Sequence, residues 1–187
     1  MRVIAGSARG RKLNRPAGKT VRPTADRVKE ALFSALISRF GSFEGLIVLD
    51  LFAGSGALGI EALSRGVAKV IFVDSHPESI TLTRNNLSLT GFQDSATLLL
   101  MDAYKALKRF STEGRLFDII LVDPPYSDKE LSQVIIKLLA DQALLSSGGV
   151  IVFETDSRSE LTLPDNIRLS SRKVYGDTCL CFMEITG

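Results

Sequence analysis

Beyond its N-terminal segment the chain alternates short continuous apolar runs with stretches in which apolar residues recur every three or four positions. The runs are Leu46 to Leu49, Val70 to Val73, Ala96 to Leu100, Phe117 to Val122 and Val150 to Phe153. A strand covered on both faces shows no polar alternation, so these read as five strands of a parallel sheet between layers of helices. Val28, Leu32, Ala35 and Leu36 before the first run keep helical spacing, as do Leu131, Val134, Ile135, Leu138 and Leu139 after the fourth. Thr24 is the expected N-cap of the first helix, with Asp26 in its first turn. Pro77 suits the first position of the helix after the second run, and Gly91 its stop. Near the end the pattern changes: Ile167 to Tyr175 and Thr178 to Ile185 flank Gly176-Asp177, which predicts an antiparallel hairpin at the sheet's edge. The fold class is α/β.

Composition narrows the function classes. The 187 residues, 45% apolar and 24% charged, are enough for one domain with its own core and exclude bulk disorder. No run approaches the roughly 18 apolar residues of a membrane span, and no apolar stretch of signal type opens the chain, so a cytoplasmic protein is expected. Cys179 and Cys181 lie two apart in a strand-like stretch and His76 is the one histidine, which argues against a disulfide framework or a metal site. The net charge of +2 conceals an asymmetry: residues 1–29 hold nine Lys/Arg against Asp26, which is +8 and leaves −6 for the rest. A basic N-terminal arm, residues 1–22, thus precedes an α/β body, residues 23–187. Cations at this density suit a polyphosphate partner.

The segment Leu49-Asp50-Leu51-Phe52-Ala53-Gly54-Ser55-Gly56-Ala57-Leu58-Gly59 runs from a strand through glycines into a helix. Gly54, Gly56 and Gly59 match the dinucleotide fingerprint, in which missing side chains let a ligand approach the backbone at a helix N-terminus. Asp74, at the end of the second strand, stands where a carboxylate accepts both hydroxyls of a ribose. No Gly-Lys-Ser/Thr follows the glycines, so an ATP phosphate loop is not indicated. Asp50 separates the remaining cofactors: a carboxylate there repels a pyrophosphate and attracts the ammonium of S-adenosylmethionine. Asp102, after the third strand, can accept from an adenine amine, cap a helix, or do both. Asp50, Phe52, Gly54, Gly56, Asp74 and Asp102 form the expected cofactor set.

Asp123-Pro124-Pro125-Tyr126 follows the fourth strand directly. In a doubly wound sheet the first and fourth strands are commonly neighbours and ligands bind at their carboxyl ends, which sets Asp123 beside the glycine turn. The exocyclic amine of a nucleobase is a poor nucleophile because its lone pair is delocalised into the ring. Methyl transfer to it needs acceptors that hold both N–H bonds and turn the lone pair outward. The Asp123 carboxylate and the Pro124 carbonyl supply them, and the prolines fix the turn so that no reorganisation is needed. Tyr126 stacks on the base.

Together these segments resemble S-adenosylmethionine-dependent amino-methyltransferases with an Asn/Asp-Pro-Pro-Tyr/Phe motif. More closely, the chain resembles the bacterial 16S ribosomal RNA guanine-N2 methyltransferase family (the RsmD family). The matching residues are Arg2 to Gly6, Gly10 to Leu13, Arg22 to Phe33, Asp50 to Arg65, Asp123 to Tyr126 and Tyr175 to Thr178. The resemblance implies a Rossmann-like doubly wound sheet of seven strands, mostly parallel, with an antiparallel C-terminal hairpin. It also implies S-adenosylmethionine as donor and N2 of a guanine in 16S ribosomal RNA as acceptor, within a small-subunit assembly particle. Asp123, Pro124 and Tyr126 would be catalytic, and Arg9, Arg11, Lys12, Arg15, Arg22 and Tyr126 would meet the RNA. Other readings stay open: a DNA adenine or cytosine amino-methyltransferase, for which 187 residues leave little room for target recognition, a non-enzymatic RNA-binding module, and an NAD-dependent oxidoreductase.

Overall fold

The computed structural model describes residues 1–16, 23–125 and 128–186, with only the backbone of residues 23–25. Among these residues seven strands form one sheet: β1 (Ile47–Asp50), β2 (Lys69–Asp74), β3 (Ala96–Leu100), β4 (Phe117–Val122), β5 (Leu145–Asp156), β6 (Ile167–Tyr175) and β7 (Thr178–Ile185). Their order is β3-β2-β1-β4-β5-β7-β6. The first five are parallel, and β7 runs antiparallel between β5 and β6. The expected hairpin is therefore present over the expected residues, its turn made at Gly176 with φ of 61°.

Among the described residues five α-helices cover the sheet: α1 (Pro23–Phe40), α2 (Ala57–Ser64), α3 (Pro77–Thr90), α4 (Ala103–Thr112) and α5 (Lys129–Asp141). Alternate strand residues face opposite layers. Val48, Val70, Phe72, Ile119 and Leu121 pack with α1, α2 and α3, while Leu49, Ile71, Val73, Ile120 and Val122 pack with α4 and α5. Burial on both sides is why these strands are apolar without interruption. His76 stands at the N-cap position of α3, Pro77 opens it, and Gly91 closes it in the left-handed conformation. Helix α1 begins at Pro23, one residue before the expected cap, so Thr24 lies in its first turn rather than at its N-cap; the Thr24 side chain lies outside the described residues.

Residues 1–13 fold back as a hairpin joined by an antiparallel bridge between Arg2 and Lys12 and by Val3 N–H to the Arg11 carbonyl at 3.0 Å. Val3, Ala8 and Leu13 are buried in the core that contains α1, α2 and one face of the sheet. This basic end is held by the same apolar packing as the body. Among the described residues no helix is long and apolar enough to cross a membrane.

Candidate functional site

The site lies where the winding reverses, between β1 and β4. The two strands are hydrogen-bonded neighbours with Asp50 opposite Leu121, and Leu51 N–H continues the ladder to the Leu121 carbonyl at 3.0 Å. Asp123 thus leaves the sheet beside the turn that follows Asp50, as the motif order predicts.

The glycines have separate duties. At Gly59 an added Cβ would stand 2.2 Å from the Phe72 ring, so α2 can approach the sheet only without a side chain. At Gly56, φ is 76° and a Cβ would stand 2.7 Å from Thr83. Gly54 has open space, its nearest neighbour being the Phe52 carbonyl at 4.0 Å. Their amides are already engaged: Gly54 N–H donates to Asp74 Oδ2 at 2.8 Å, Gly56 N–H to the Ala53 carbonyl at 2.7 Å and Gly59 N–H to Asp50 Oδ2 at 3.0 Å. A ligand at this turn therefore meets two carboxylates, and the three glycine amides are already engaged with protein acceptors. That acceptor-rich setting fits a group that brings an ammonium and hydroxyls.

Asp50 is 2% exposed and, among the described residues, receives a single donor, Gly59 N–H. Burial, with a smaller push from the Asp74 charge and an opposing pull from Gly59, raises its carboxyl to about 7. No buried side-chain oxygen among the described residues lacks a partner, so the Asp50 oxygen that takes no donor still reaches the surface. Asp74 is half-buried and uses both oxygens: Oδ2 takes Gly54 N–H, and Oδ1 takes the backbone N–H of His76 at 2.9 Å. His76 Nδ1 lies 3.2 Å from the same oxygen and 3.1 Å from Ser75 Oγ; the residue sits at the N-cap position of α3, and its exposed ring makes no capping hydrogen bond.

Asp102 caps α4, its Oδ1 accepting from the amides of Tyr104 at 2.9 Å and Lys105 at 3.3 Å. Phe52 is half-buried against the face covered by α4 and α5. Asp123 is exposed and Pro124 buried at the end of β4, and the Pro125 carbonyl accepts from Asp128 N–H at 3.0 Å. Tyr126 and Arg22 lie outside the described residues. Arg9, Arg11, Lys12 and Arg15 are exposed, but they are spread out: Arg15 follows Asn14 near the glycine turn, and Arg9 lies at the opposite end, in the hairpin turn that Ser7 and Ala8 bond to Ser64.

Sequence reasoning missed the polar residues that hold the turn. Thr83 and Asn86, on α3, are fully buried. Thr83 Oγ1 donates to the Gly54 carbonyl at 3.1 Å, and Asn86 Nδ2 donates to the Ser55 carbonyl at 2.8 Å. Asn86 also grips the arm, accepting from Asn14 N–H at 2.7 Å and donating to its carbonyl at 3.1 Å. The sequence signal was a pair of polar residues three apart on the apolar face of a helix. Cys179 and Cys181 have their sulfurs 3.8 Å apart in the core, where burial pushes the Cys181 thiol up to about 12.

Comparison with known proteins gives the same assignment across the whole length. The model of the family described as Conserved hypothetical protein 95 matches residues 1–184. YlbH of Bacillus subtilis is 39% identical over 189 residues, covering 100% of both chains. Ribosomal RNA small subunit methyltransferase D of Escherichia coli is 36% identical over 178 residues, 94% of this chain and 85% of that one. The solved structure of yhhF from Escherichia coli superposes with a TM-score of 0.84 at 30% identity, covering 100% of this chain and 98% of that one. With the acceptor-lined glycine turn at the β1–β4 switch, these matches make the chain a member of the Conserved hypothetical protein 95 family, the RsmD family of methyltransferases, with S-adenosylmethionine as its cofactor.

Proposed function

We propose that this methyltransferase acts on 16S ribosomal RNA, placing a methyl group on the exocyclic N2 amine of a guanine in an assembling small subunit in the cytoplasm. The observation that carries the reading is the pairing of two features at one sheet end: a glycine turn flanked by Asp50 and Asp74 with the amides of Gly54, Gly56 and Gly59 engaged, and Asp123-Pro124 directly after the neighbouring strand. S-adenosylmethionine supplies a methyl already activated by its sulfonium. Asp74 would accept from the ribose hydroxyls through its remaining lone pairs, and Asp50 would face the ammonium. Asp102 Oδ2, the oxygen not used in capping, is available for an adenine amine. Phe52 would bound the cofactor on the sheet side.

For the acceptor, Asp123 would take one N–H of the amine and the Pro124 carbonyl the other, leaving the nitrogen lone pair aimed at the methyl. The stiff Pro-Pro turn keeps both oxygens in place, so alignment carries most of the rate. Tyr126 would stack on the guanine, and Arg9, Arg11, Lys12, Arg15 and Arg22 would meet RNA phosphates. The resemblance and the name of the Escherichia coli relative support ribosomal RNA as the substrate. Mass analysis of nuclease fragments of 16S ribosomal RNA treated with the protein and S-adenosylmethionine tests it. One guanine should gain a single methyl, and Asp123→Ala should lower turnover about 100-fold to 1,000-fold while cofactor binding persists. A methyl on another base, or near-normal turnover in the variant, would overturn the reading.

A further inference from the structure

A cavity of about 450 Å³ lies between the N-terminal hairpin and the flanks of α1 and α2. Arg2 and Arg9 enter it from the hairpin, Arg65 from the residue that caps the end of α2, and Ser34 and Glu30 from adjacent turns of α1. Arg65 is fixed before any ligand arrives. Its Nε donates to Glu61 Oε1 at 2.8 Å and its guanidinium lies 4.9 Å over the Phe33 ring, with the side chain 14% exposed. Among the described residues no acceptor takes its two terminal amino groups. The hairpin turn that carries Arg9 is clamped to α2 by Ser7 N–H to the Ser64 carbonyl at 2.7 Å and by Ala8 N–H to Ser64 Oγ at 3.0 Å. The Arg9 side chain has no acceptor among the described residues either. Arg2 is 64% exposed and pairs loosely with Asp26 at 3.3 Å, which puts it at the rim.

We propose that this cavity is a phosphate pocket that holds one backbone phosphodiester of the RNA substrate. With the groups paired to the lining included, Arg2, Arg9, Lys29 and Arg65 face Asp26, Glu30 and Glu61, which leaves the site positive by one charge, and planar forks match phosphate oxygens in pairs. Helix α2 begins at the glycine turn and ends beside Arg65, so the pocket stands roughly 12 Å of helix away from the chemistry. It sets the register of the RNA and takes no part in methyl transfer. The exposed Arg11, Lys12 and Arg15 continue the cation row along the same hairpin, which a polymer can follow and a lone anion cannot. The assignment rests on the reading that the substrate is RNA.

Two variants test it: Arg9→Ala, which removes a cation, and Ser34→Glu, which adds a carboxylate to the cavity from an exposed helix position. RNA affinity is measured at several salt concentrations, with melting, cofactor affinity and methyl-transfer kinetics alongside. Arg9→Ala should weaken RNA binding about fivefold at 0.1 M salt and lower the salt slope by about 0.7, the value for one single-strand phosphate contact. Ser34→Glu should weaken it at least as much while melting and cofactor affinity hold, and the kinetic loss in both should fall on KM for RNA. Wild-type RNA affinity and slope in both variants would overturn the pocket. Tight binding of inorganic phosphate that Arg9→Ala abolishes, with RNA affinity unchanged, would also overturn it by assigning the cavity to a free anion. If the pocket variants weaken RNA binding yet the wild-type protein methylates no ribosomal RNA, the pocket stands and the proposed reaction fails.

Discussion

Two buried carboxylates, Asp50 at the end of β1 and Glu61 within α2, differ in one respect of their surroundings. Among the described residues Glu61, 0% exposed, accepts three hydrogen bonds, from Ile4 N–H at 2.8 Å, Ala5 N–H at 3.0 Å and Arg65 Nε at 2.8 Å, and forms an ion pair with Lys29 Nζ at 3.1 Å. Asp50, 2% exposed, accepts one hydrogen bond among them and has no ion pair. A buried charge with its lone pairs filled is an internal joint, here tying the N-terminal hairpin and α1 to α2. A buried charge with one donor is electrostatically incomplete, and a cationic ligand completes it. Burial alone does not distinguish these two acids, whereas the set of groups that answer each charge does.

The strongest test of the structural half is Glu61→Ala. It would leave Lys29, 5% exposed, without its carboxylate, and removing one partner of a buried pair costs about 3 to 5 kcal/mol. Denaturant unfolding should show that loss, and a change below about 1 kcal/mol would break the contrast.

Asp50→Asn tests the other half and should behave in the opposite sense. The Asp50 carboxyl is raised from 3.8 to about 7 in the folded protein, so between about pH 4 and 7 the native state keeps a proton that the unfolded chain has lost. Its contribution to stability is full below about pH 4, declines as pH rises to about 7 and is level above that. The Asn variant should escape this decline, gaining on the wild type by an amount on the order of 4 kcal/mol at pH 8. It should also bind S-adenosylmethionine more weakly. Parallel stability curves for the two proteins across that range would refute the assigned cause.

Smaller effects sharpen the picture. Asp74→Ala removes the acceptor for the ribose and for Gly54 N–H, so cofactor affinity should fall at least tenfold in a calorimetric titration, each charge-assisted hydrogen bond being worth roughly 1.5 to 3 kcal/mol. Asn86→Ala should cost about 1 to 3 kcal/mol of stability by leaving the Ser55 carbonyl and Asn14 backbone unmatched, with a modest loss of cofactor affinity. An Asn86 variant that melts normally would mean the turn and the hairpin are held independently.

The strands, the hairpin and the glycine turn were legible because each is written locally, in apolar runs and turn residues. Helix α4 was not singled out, although Ala103, Ala106, Leu107 and Phe110 form its buried stripe. Two of the four are alanines, which mark an apolar face weakly. Strand β5 begins five residues before the expected Val150, because pairing of Leu145 with Phe117 carries it through Gly148 and Gly149 across a register shift. At the site, Asp50, Asp74 and Asp123 could be placed from motif order. The grip of Asn86 on Asn14 spans 72 residues, and that of Glu61 on Ile4 spans 57. No local pattern encodes such pairings. The same limit hid the anchoring of the basic segment: its charges suggested an arm, while Val3, Ala8 and Leu13 place it in the core.

The claim that Asp50 awaits a cation is tested most directly by calorimetric titration of S-adenosylmethionine in buffers of different ionisation enthalpy. At pH 6, below the Asp50 value of about 7, the cofactor ammonium should displace the carboxyl proton. About one proton should then be released per cofactor bound at pH 6, falling toward zero at about pH 7.5 as Asp50 ionises and the cofactor amine, ordinarily about 7.7 to 8.0, begins to need a proton, and Asp50→Asn should release none at pH 6. Tight cofactor binding at pH 6 with no proton release by the wild type would contradict the account.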